Sequence, residues 1–341
     1  MQIQRLFAVA ALLLSLRATA QPPSPPCLPE QGLRYICGLV VPEDILKLGS
    51  TGLLLASGHG VRSTKTGYLY LIDPAAGTHS ELIHSDAFRQ KLDAKAFPGC
   101  PGPLNLRAFD VHGLSLAETS RRLFRIYSTS HGEREAIEIY DLDLRKKRPS
   151  LTWRGCVPLE QDGYFNSVAQ LPGGGFLTTR MRDAATPVSG PRPVGNTGMI
   201  FEWKPGGRLL PLAGTELSFP NGIDVSKDGR FIYVAAFGSQ ELVRFDRSAS
   251  PLAKITIRVP IRPDNIHWDG YCKLLTAGPK PADAGWEVLE VDPETLAFTR
   301  LGGADQTAAM QAVSAAMRVG DQIWVASNDD RIARFQLPNS Q

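Results

Sequence analysis

The sequence has little net charge and lacks the short motifs that mark several common enzyme classes. Lys and Arg total 37 and Asp and Glu total 34 among 341 residues, a net charge of +3. This balance argues against nucleic acid as a partner and against electrostatic docking on a membrane. A GxSxG elbow, an HExxH motif and a P-loop are also absent, so an α/β-hydrolase serine, a zincin site and a P-loop are unsupported.

Cysteine is scarce, and its spacing excludes two common uses. No CxxC pair occurs, so neither a thioredoxin-like motif nor a zinc knuckle is supported. The number is odd, which leaves at least one thiol free or paired with another chain. The five cysteines are Cys27, Cys37, Cys100, Cys156 and Cys272.

Long hydrophobic runs are absent after the first residues. Residues 1–20 combine Arg5, an apolar run over 7–16 and the small residues 18–20, which predicts a secretory signal peptide. A Pro-rich leader is expected over residues 21–34. We therefore expect a secreted or periplasmic protein with no stable membrane insertion once the signal is removed.

The rest of the chain repeats short apolar runs separated by Gly, Pro, Asp and Asn. Six such units have second strands that begin about 54 residues apart on average, near Leu53, Leu123, Phe176, Ile232, Leu274 and Ile323. Units of this size bury their faces when they are arranged radially. The repeats predict one all-β domain, a six-bladed β-propeller over residues 35–338, with a helical and loop insertion at about 79–107. The alternative is a pair of β-sandwiches.

A polar residue recurs about ten positions before each second strand. Equivalent positions on different blades meet at one end of a propeller's channel, so these side chains should converge there. Their oxygens suit a hard cation such as calcium, which accepts amide carbonyls readily. Taken singly, each position also fits a turn or a strand start. The residues are Glu43, His112, Asn166, Asn221, Asn265 with its neighbour Asp264, and Ser314.

Several of these segments resemble the paraoxonase/arylesterase family, within the wider group of gluconolactonase and senescence marker protein 30. The likeness covers roughly residues 40–335. It is carried by His112-Gly-Leu-Ser, Ser130-His131, Phe165-Asn166, the segment from Phe219-Pro-Asn221-Gly-Ile-Asp to Phe231-Ile-Tyr, and Pro263-Asp264-Asn265-Ile. The resemblance implies a six-bladed propeller that hydrolyses lactones and aryl esters with calcium in its channel.

Carried over by residue, the resemblance assigns a role to each of these positions. Glu43, Asn166, Asn221, Asp264 and Asn265 would hold the catalytic calcium. His112 and His131 would form the family's histidine dyad, in which His112 takes a proton from the attacking water, although a carboxylate near the ion could be the base instead. Asp44 matches a ligand of a second, structural calcium.

The sequence also departs from the family. Ser167 stands where the family has an acid for the second ion, and no cysteine follows Cys272 to close the family's disulfide. Residues 180–197 lack the aromatics of the paraoxonase pocket mouth, so substrate preference cannot be carried over.

The predicted function is calcium-dependent hydrolysis of a small lactone or ester. Two alternatives remain open at this point. One is a sugar-lactone hydrolase of the gluconolactonase type, in which no histidine dyad is needed. The other is a non-catalytic exported propeller that binds a ligand and is rigidified by calcium.

Overall fold

The computed structural model describes residues 27–60, 66–160, 162–183, 185–186, 195–283, 285–305, 310 and 312–337. The signal peptide at 1–20 and residues 21–26 of the leader lie outside this range.

Six β-sheets share one pattern, in which neighbouring strands pair antiparallel, except for one added edge strand. Five sheets have four strands and the second has five. The first sheet contains β2 (Pro42–Lys47), β3 (Leu54–Gly58), β4 (Tyr68–Asp73) and β5 (Thr78–Glu81). The second contains β6 (Phe88–Gln90), β7 (Leu114–Ser120), β8 (Leu123–Ser130), β9 (Ala136–Asp143) and β10 (Ser150–Pro158). The third contains β11 (Gly163–Gln170), β12 (Phe176–Asp183), β13 (Met199–Trp203) and β14 (Leu210–Pro211).

The second half of the chain continues the pattern. The fourth sheet contains β15 (Pro220–Val225), β16 (Phe231–Ala236), β17 (Glu241–Asp246) and β18 (Ala253–Arg258). The fifth contains β19 (Ile266–Trp268), β20 (Leu274–Pro279), β21 (Trp286–Val291) and β22 (Phe298–Ala304). The sixth contains β23 (Val313–Val319), β24 (Gln322–Ser327) and β25 (Arg331–Gln336), with β1 (Arg34–Cys37) on its outer edge.

The first strands of the six sheets form a closed ring. In order, β2, β7, β11, β15, β19 and β23 each contact the next, and β23 contacts β2. The ring is held shut by β1, which pairs antiparallel with β25 so that Ile36 faces Ile332. These contacts establish a six-bladed β-propeller, as the repeats predicted. Because β1 covers the outer edge of β25, fewer unpaired strand edges remain that could pair with another chain.

The blades are covered on both faces, which explains why their strands are nearly continuous apolar runs. Clusters of buried side chains lie between neighbouring blades, and Trp153, Trp286 and Trp324 are fully buried within the sheets. Between the second and third blades, the ring of Phe176 stacks on Trp203 with centroids 5.3 Å apart. Burial of aromatic surface on this scale contributes a large part of the hydrophobic stabilisation.

The helical prediction for residues 79–107 is wrong. The segment holds the end of β5, turns, the edge strand β6 and the start of a 3-10 turn at Leu106–Ala108. β6 pairs parallel with β10, and Gln90 bonds through its side chain to both backbone groups of Leu104. Long-range strand pairing thus outweighs the local helix propensity of this stretch.

Two disulfides tie the loops to the sheets. Cys100 is joined to Cys156 on β10, and Cys27 is joined to Cys37 on β1. Cys272 is an exposed free thiol, in agreement with the odd number of cysteines. Among the described residues, no helix is long and apolar enough to cross a membrane.

Candidate metal and catalytic site

The recurring polar positions lie side by side at one end of the channel. Backbone hydrogen bonds join neighbouring blades there: Gly113 N donates to Asn166 O over 3.1 Å, and Gly222 N donates to Asp264 O over 2.9 Å. Asn265 N donates to Ser314 O over 2.8 Å, and Ser314 Oγ donates to Glu43 O over 2.5 Å. The sequence alignment of the repeats therefore identified residues that meet in space.

Two glycines allow this close approach between blades. A Cβ atom on Gly222 would lie 2.6 Å from Cα of Asn265, and one on Gly113 would lie 2.7 Å from the carbonyl oxygen of Asn166. Both distances are shorter than real Cβ contacts, and the obstructing atoms are backbone. Asn221 thus supplies a polar side chain, and the missing side chain of Gly222 leaves room for the backbone of Asn265 on the next blade.

The three asparagines of the ring share an unusual feature. Asn166, Asn221 and Asn265 are each at most 3% exposed, and in the described structure their Oδ1 atoms accept no hydrogen bond. Asn265 instead uses Nδ2, which donates to Oε1 of Glu43 over 3.0 Å. Buried acceptors without donors cost free energy unless another partner satisfies them. A cation bound at the channel end would be such a partner.

The donor set fits a hard cation better than a soft one. Within the described ranges, no group of three or more His, Cys, Asp or Glu side chains is placed to hold a metal. The ring instead offers amide oxygens beside the buried carboxylate of Glu43, which is the chemistry that calcium accepts. Asp264 is half-buried next to Asn265 and is fixed by backbone bonds to Gly222 and Ala277.

The two predicted histidines are brought together beside this ring. Nδ1 of His112 lies 3.0 Å from Nε2 of His131, and Nε2 of His112 lies 3.3 Å from Oε1 of Glu43. Nδ1 of His131 donates to Oε1 of Glu135 over 2.8 Å. The result is a continuous chain of side chains from Glu135 through both imidazoles to Glu43.

Aromatic contacts fix the planes of both imidazoles. His59 stacks on His112 with centroids 4.7 Å apart, and Tyr164 stacks on His131 with centroids 4.3 Å apart; both pairs are within 6° of parallel. Nδ1 of His59 lies 3.0 Å from Oδ1 of Asp110. The Tyr164 hydroxyl also lies 3.4 Å from Nδ1 of His112, so these contacts hold the histidine pair by its ring faces and at one ring edge.

The buried carboxylate of Asp110 is kept ionised by its neighbours. Burial by itself raises its pKa, but the hydrogen bond and attraction of His59, with smaller contributions from His131 and Gly60 N–H, lower the pKa below its usual value. His59 and Asp110 therefore form a second imidazole–carboxylate pair against the first.

Sequence reasoning missed His59, Asp110, Glu135 and Tyr164. His59 directly follows β3, and Tyr164 precedes Asn166 by two residues. Neither residue stands at the recurring polar position. Glu135 follows His131 by four residues, a spacing that a tight turn between strands can bring into contact. That spacing is the one signal that could have identified it.

The carboxylate of Asp44 already accepts hydrogen bonds from three donors. Its Oδ1 accepts from Nε2 of His267 over 2.8 Å and from Ile45 N, and its Oδ2 accepts from Leu114 N over 2.7 Å. Nδ1 of His267 faces Asp224 at 3.7 Å. Burial would lower the pKa of His267, but the attraction of Asp44 and Asp224 and the hydrogen bond to Asp44 outweigh it and raise the pKa to about 10.

These residues do not fit the second calcium that the resemblance implies. The carboxylate of Asp44 already faces an imidazolium at neutral pH, and buried Ser167 supplies a hydroxyl in place of an acid. A divalent cation would have to displace His267 from both aspartates. The expectation that Asp44 binds a structural metal therefore has no support in its surroundings.

Comparison with known proteins supports the fold. No protein-family model and no curated protein matches the sequence. Among solved structures, a luciferin-regenerating enzyme is 14% identical, with a TM-score of 0.56 over 89% of this chain and 94% of that one. A gluconolactonase-like protein is 15% identical, with a TM-score of 0.54 over 89% and 91%.

A third similar structure is regucalcin from Agrobacterium tumefaciens strain C58, described as a calcium-binding protein. It is 12% identical, with a TM-score of 0.51 over 88% of this chain and 90% of that one. At these identities the likeness shows the propeller architecture alone. The neighbours include gluconolactonase-like and regucalcin propellers, which is the wider group that the sequence motifs resemble.

Proposed function

We propose that this chain is a calcium-dependent hydrolase of small lactones or carboxylic esters. The observation that carries the proposal is the position of His112, which contacts His131 through one ring nitrogen and Glu43 through the other. A general base and a candidate cation site thus share one carboxylate. Arylesterase activity of the paraoxonase type is the finer form of this proposal, supported by the dyad spacing.

The residues divide into two roles. Glu43, Asn166, Asn221, Asp264 and Asn265 would hold calcium, which when bound would polarise the substrate carbonyl and stabilise the developing negative charge. Nε2 of His112 takes a proton from the attacking water, and His131 accepts the hydrogen bond that holds His112 in place. His112 is only 2% exposed, so this proton transfer occurs with few competing waters.

The proposal extends to location and substrate. We propose that the mature chain works outside the cytoplasm, because a signal-like segment precedes a body with two disulfides. The partner is a small molecule that reaches the channel end.

The test is hydrolysis of a substrate panel by purified mature chain. The panel holds aliphatic lactones, a polyhydroxylated sugar lactone and phenyl acetate. Activity should disappear after treatment with a chelator and return with added calcium. Preference for the sugar lactone, with activity kept in His112→Gln, would favour the gluconolactonase-type alternative. Bound calcium with no turnover on any substrate would contradict the proposal and leave a ligand-binding propeller.

A further inference from the structure

Glu135 contacts the histidine pair from the side opposite the candidate cation site. It lies in the short connection between β8 and β9, and its Oε1 is 2.8 Å from Nδ1 of His131. The backbone carbonyl oxygen of Glu135 accepts a hydrogen bond from Leu159 N over 3.0 Å, which fixes the connection to the residue that follows β10. Arg134 beside it is held by Glu138. Glu135 is therefore fixed by its backbone while its side chain engages His131.

This contact determines which nitrogen of His131 carries the proton. An ionised carboxylate only accepts hydrogen bonds, so Nδ1 of His131 must be the donor. In a neutral imidazole Nε2 is then an acceptor, and Nδ1 of His112 must donate to it across 3.0 Å. Nε2 of His112 lies 3.3 Å from Oε1 of Glu43, on the side of the candidate cation site. The hydrogen bonds that begin at Glu135 therefore orient the imidazole whose other nitrogen faces that site.

The stacking partners cannot make this selection. Tyr164 and His59 lie against ring faces, and stacking fixes a plane without distinguishing the two nitrogens. The Tyr164 hydroxyl also lies 3.4 Å from Nδ1 of His112, but a hydroxyl can donate or accept there and so does not fix a tautomer. Without an acceptor at Nδ1, His131 can adopt the other tautomer, with its proton on Nε2. That proton would point at Nδ1 of His112 and remove the hydrogen bond that His112 donates to His131.

We propose that Glu135 is a positioning residue that keeps the proton of His131 on Nδ1 and so preserves the hydrogen bond through which His131 orients His112. This inference rests on the proposed function in one respect, since it assigns His112 the role of base. The tautomer of His131 can be measured before any metal or substrate binds.

The test compares Glu135→Ala with Glu135→Gln, because the amide oxygen of glutamine can still accept from Nδ1–H. Glu133→Ala is the matched control, an exposed carboxylate on the same connection. The ¹⁵N shifts of the imidazoles are recorded on metal-free protein, where six histidines give few signals and His131→Gln identifies the relevant pair. Thermal unfolding checks that each variant is folded.

We expect wild type, Glu135→Gln and Glu133→Ala to show His131 protonated at Nδ1, and Glu135→Ala to show a mixture or the reverse. In the active protein, kcat of Glu135→Ala should fall by about tenfold to a hundredfold with little change in KM, as for other residues that orient an imidazole. Glu135→Gln should retain most of kcat. If Glu135→Ala shows the tautomer change but the wild type hydrolyses no substrate, the positioning role is supported and the proposed function is overturned. Unchanged His131 shifts in folded Glu135→Ala would overturn the positioning role, whatever the activity.

Discussion

Asn265 donates from Nδ2 to Oε1 of Glu43 over 3.0 Å, and this bond joins the fifth blade to the first at the channel end. It also orients the amide, because the nitrogen is used by Glu43 while Oδ1 accepts no hydrogen bond in the described structure. Asn166 and Asn221 leave the same oxygen unsatisfied. Three blades thus present equivalent acceptors to one end of the channel, which is the basis of the first prediction.

Replacing Asn221 by alanine should weaken calcium binding. The change removes one amide oxygen from a site with few charges, so we expect the affinity to fall on the order of tenfold or more. Asn221→Asp keeps an oxygen at the same position and should retain binding. Calorimetric titration of metal-free protein measures both, and Asn105→Ala on the exposed loop is the control. Equal affinity in Asn221→Ala and wild type would argue against the ring as the cation site.

Replacing His112 by glutamine should abolish most turnover while calcium still binds. Loss of a general base typically lowers kcat by about 10² to 10⁴-fold, and His112 is the residue whose Nε2 faces Glu43. The measurement is kcat on the best substrate of the panel at saturating calcium. His79→Gln on the outer strand β5 is the matched control. Full activity in folded His112→Gln would transfer the role of base to a carboxylate.

The number of bound calcium ions should be one per chain. His267 occupies the position beside Asp44 with an N–O distance of 2.8 Å, so the second ion of the paraoxonase pattern has no place. We expect His267→Leu to lower the free energy of unfolding by about 3–5 kcal/mol, since it leaves a buried carboxylate unpaired. Adding Asp44→Asn should recover part of that loss. Elemental analysis and urea unfolding measure these outcomes, and two ions per chain in wild type would refute them.

The sequence predicted the fold through its period and the channel residues through their shared place in each repeat. Asn166 and Asn221 were found because position within a blade translates directly into position around the axis. The extended run at 79–107 was mistaken for a helix because β6 is a strand only through its pairing with β10. His59 and Glu135 could not be found from the repeats, since each contacts the histidine pair from a connection or a strand end.

His267 illustrates a different limit of sequence reasoning. The residue follows Asn265 by two positions and resembles an ordinary strand residue in the sequence. Its importance arises from Asp44, 223 positions away, and from burial that no local pattern reveals. Whether an aspartate faces a metal or an imidazolium depends on which side chain of another blade lies opposite.

The contact between His59 and Asp110 should make the free energy of unfolding depend on pH in the acid range. The pKa of Asp110 is lowered from 3.8 in the folded protein, mainly by its hydrogen bond to His59 against the opposing effect of burial. A lowered pKa means that the unfolded chain binds the proton more readily. The resulting stabilisation is therefore fully present above pH 3.8 and is lost as the pH falls through the lower folded value.

We expect this contribution to appear as a difference between wild type and Asp110→Asn. Urea unfolding at several pH values should give a gap in the free energy of unfolding at about pH 5, and the gap should narrow steadily below pH 3.8. In His59→Gln the acid-dependent part should be smaller, because the main group that lowers the pKa of Asp110 is gone. If the gap between the two free energies of unfolding does not narrow below pH 3.8, Asp110 has the same pKa in the folded and the unfolded protein. The ionised pair of His59 and Asp110 would then not stabilise the fold.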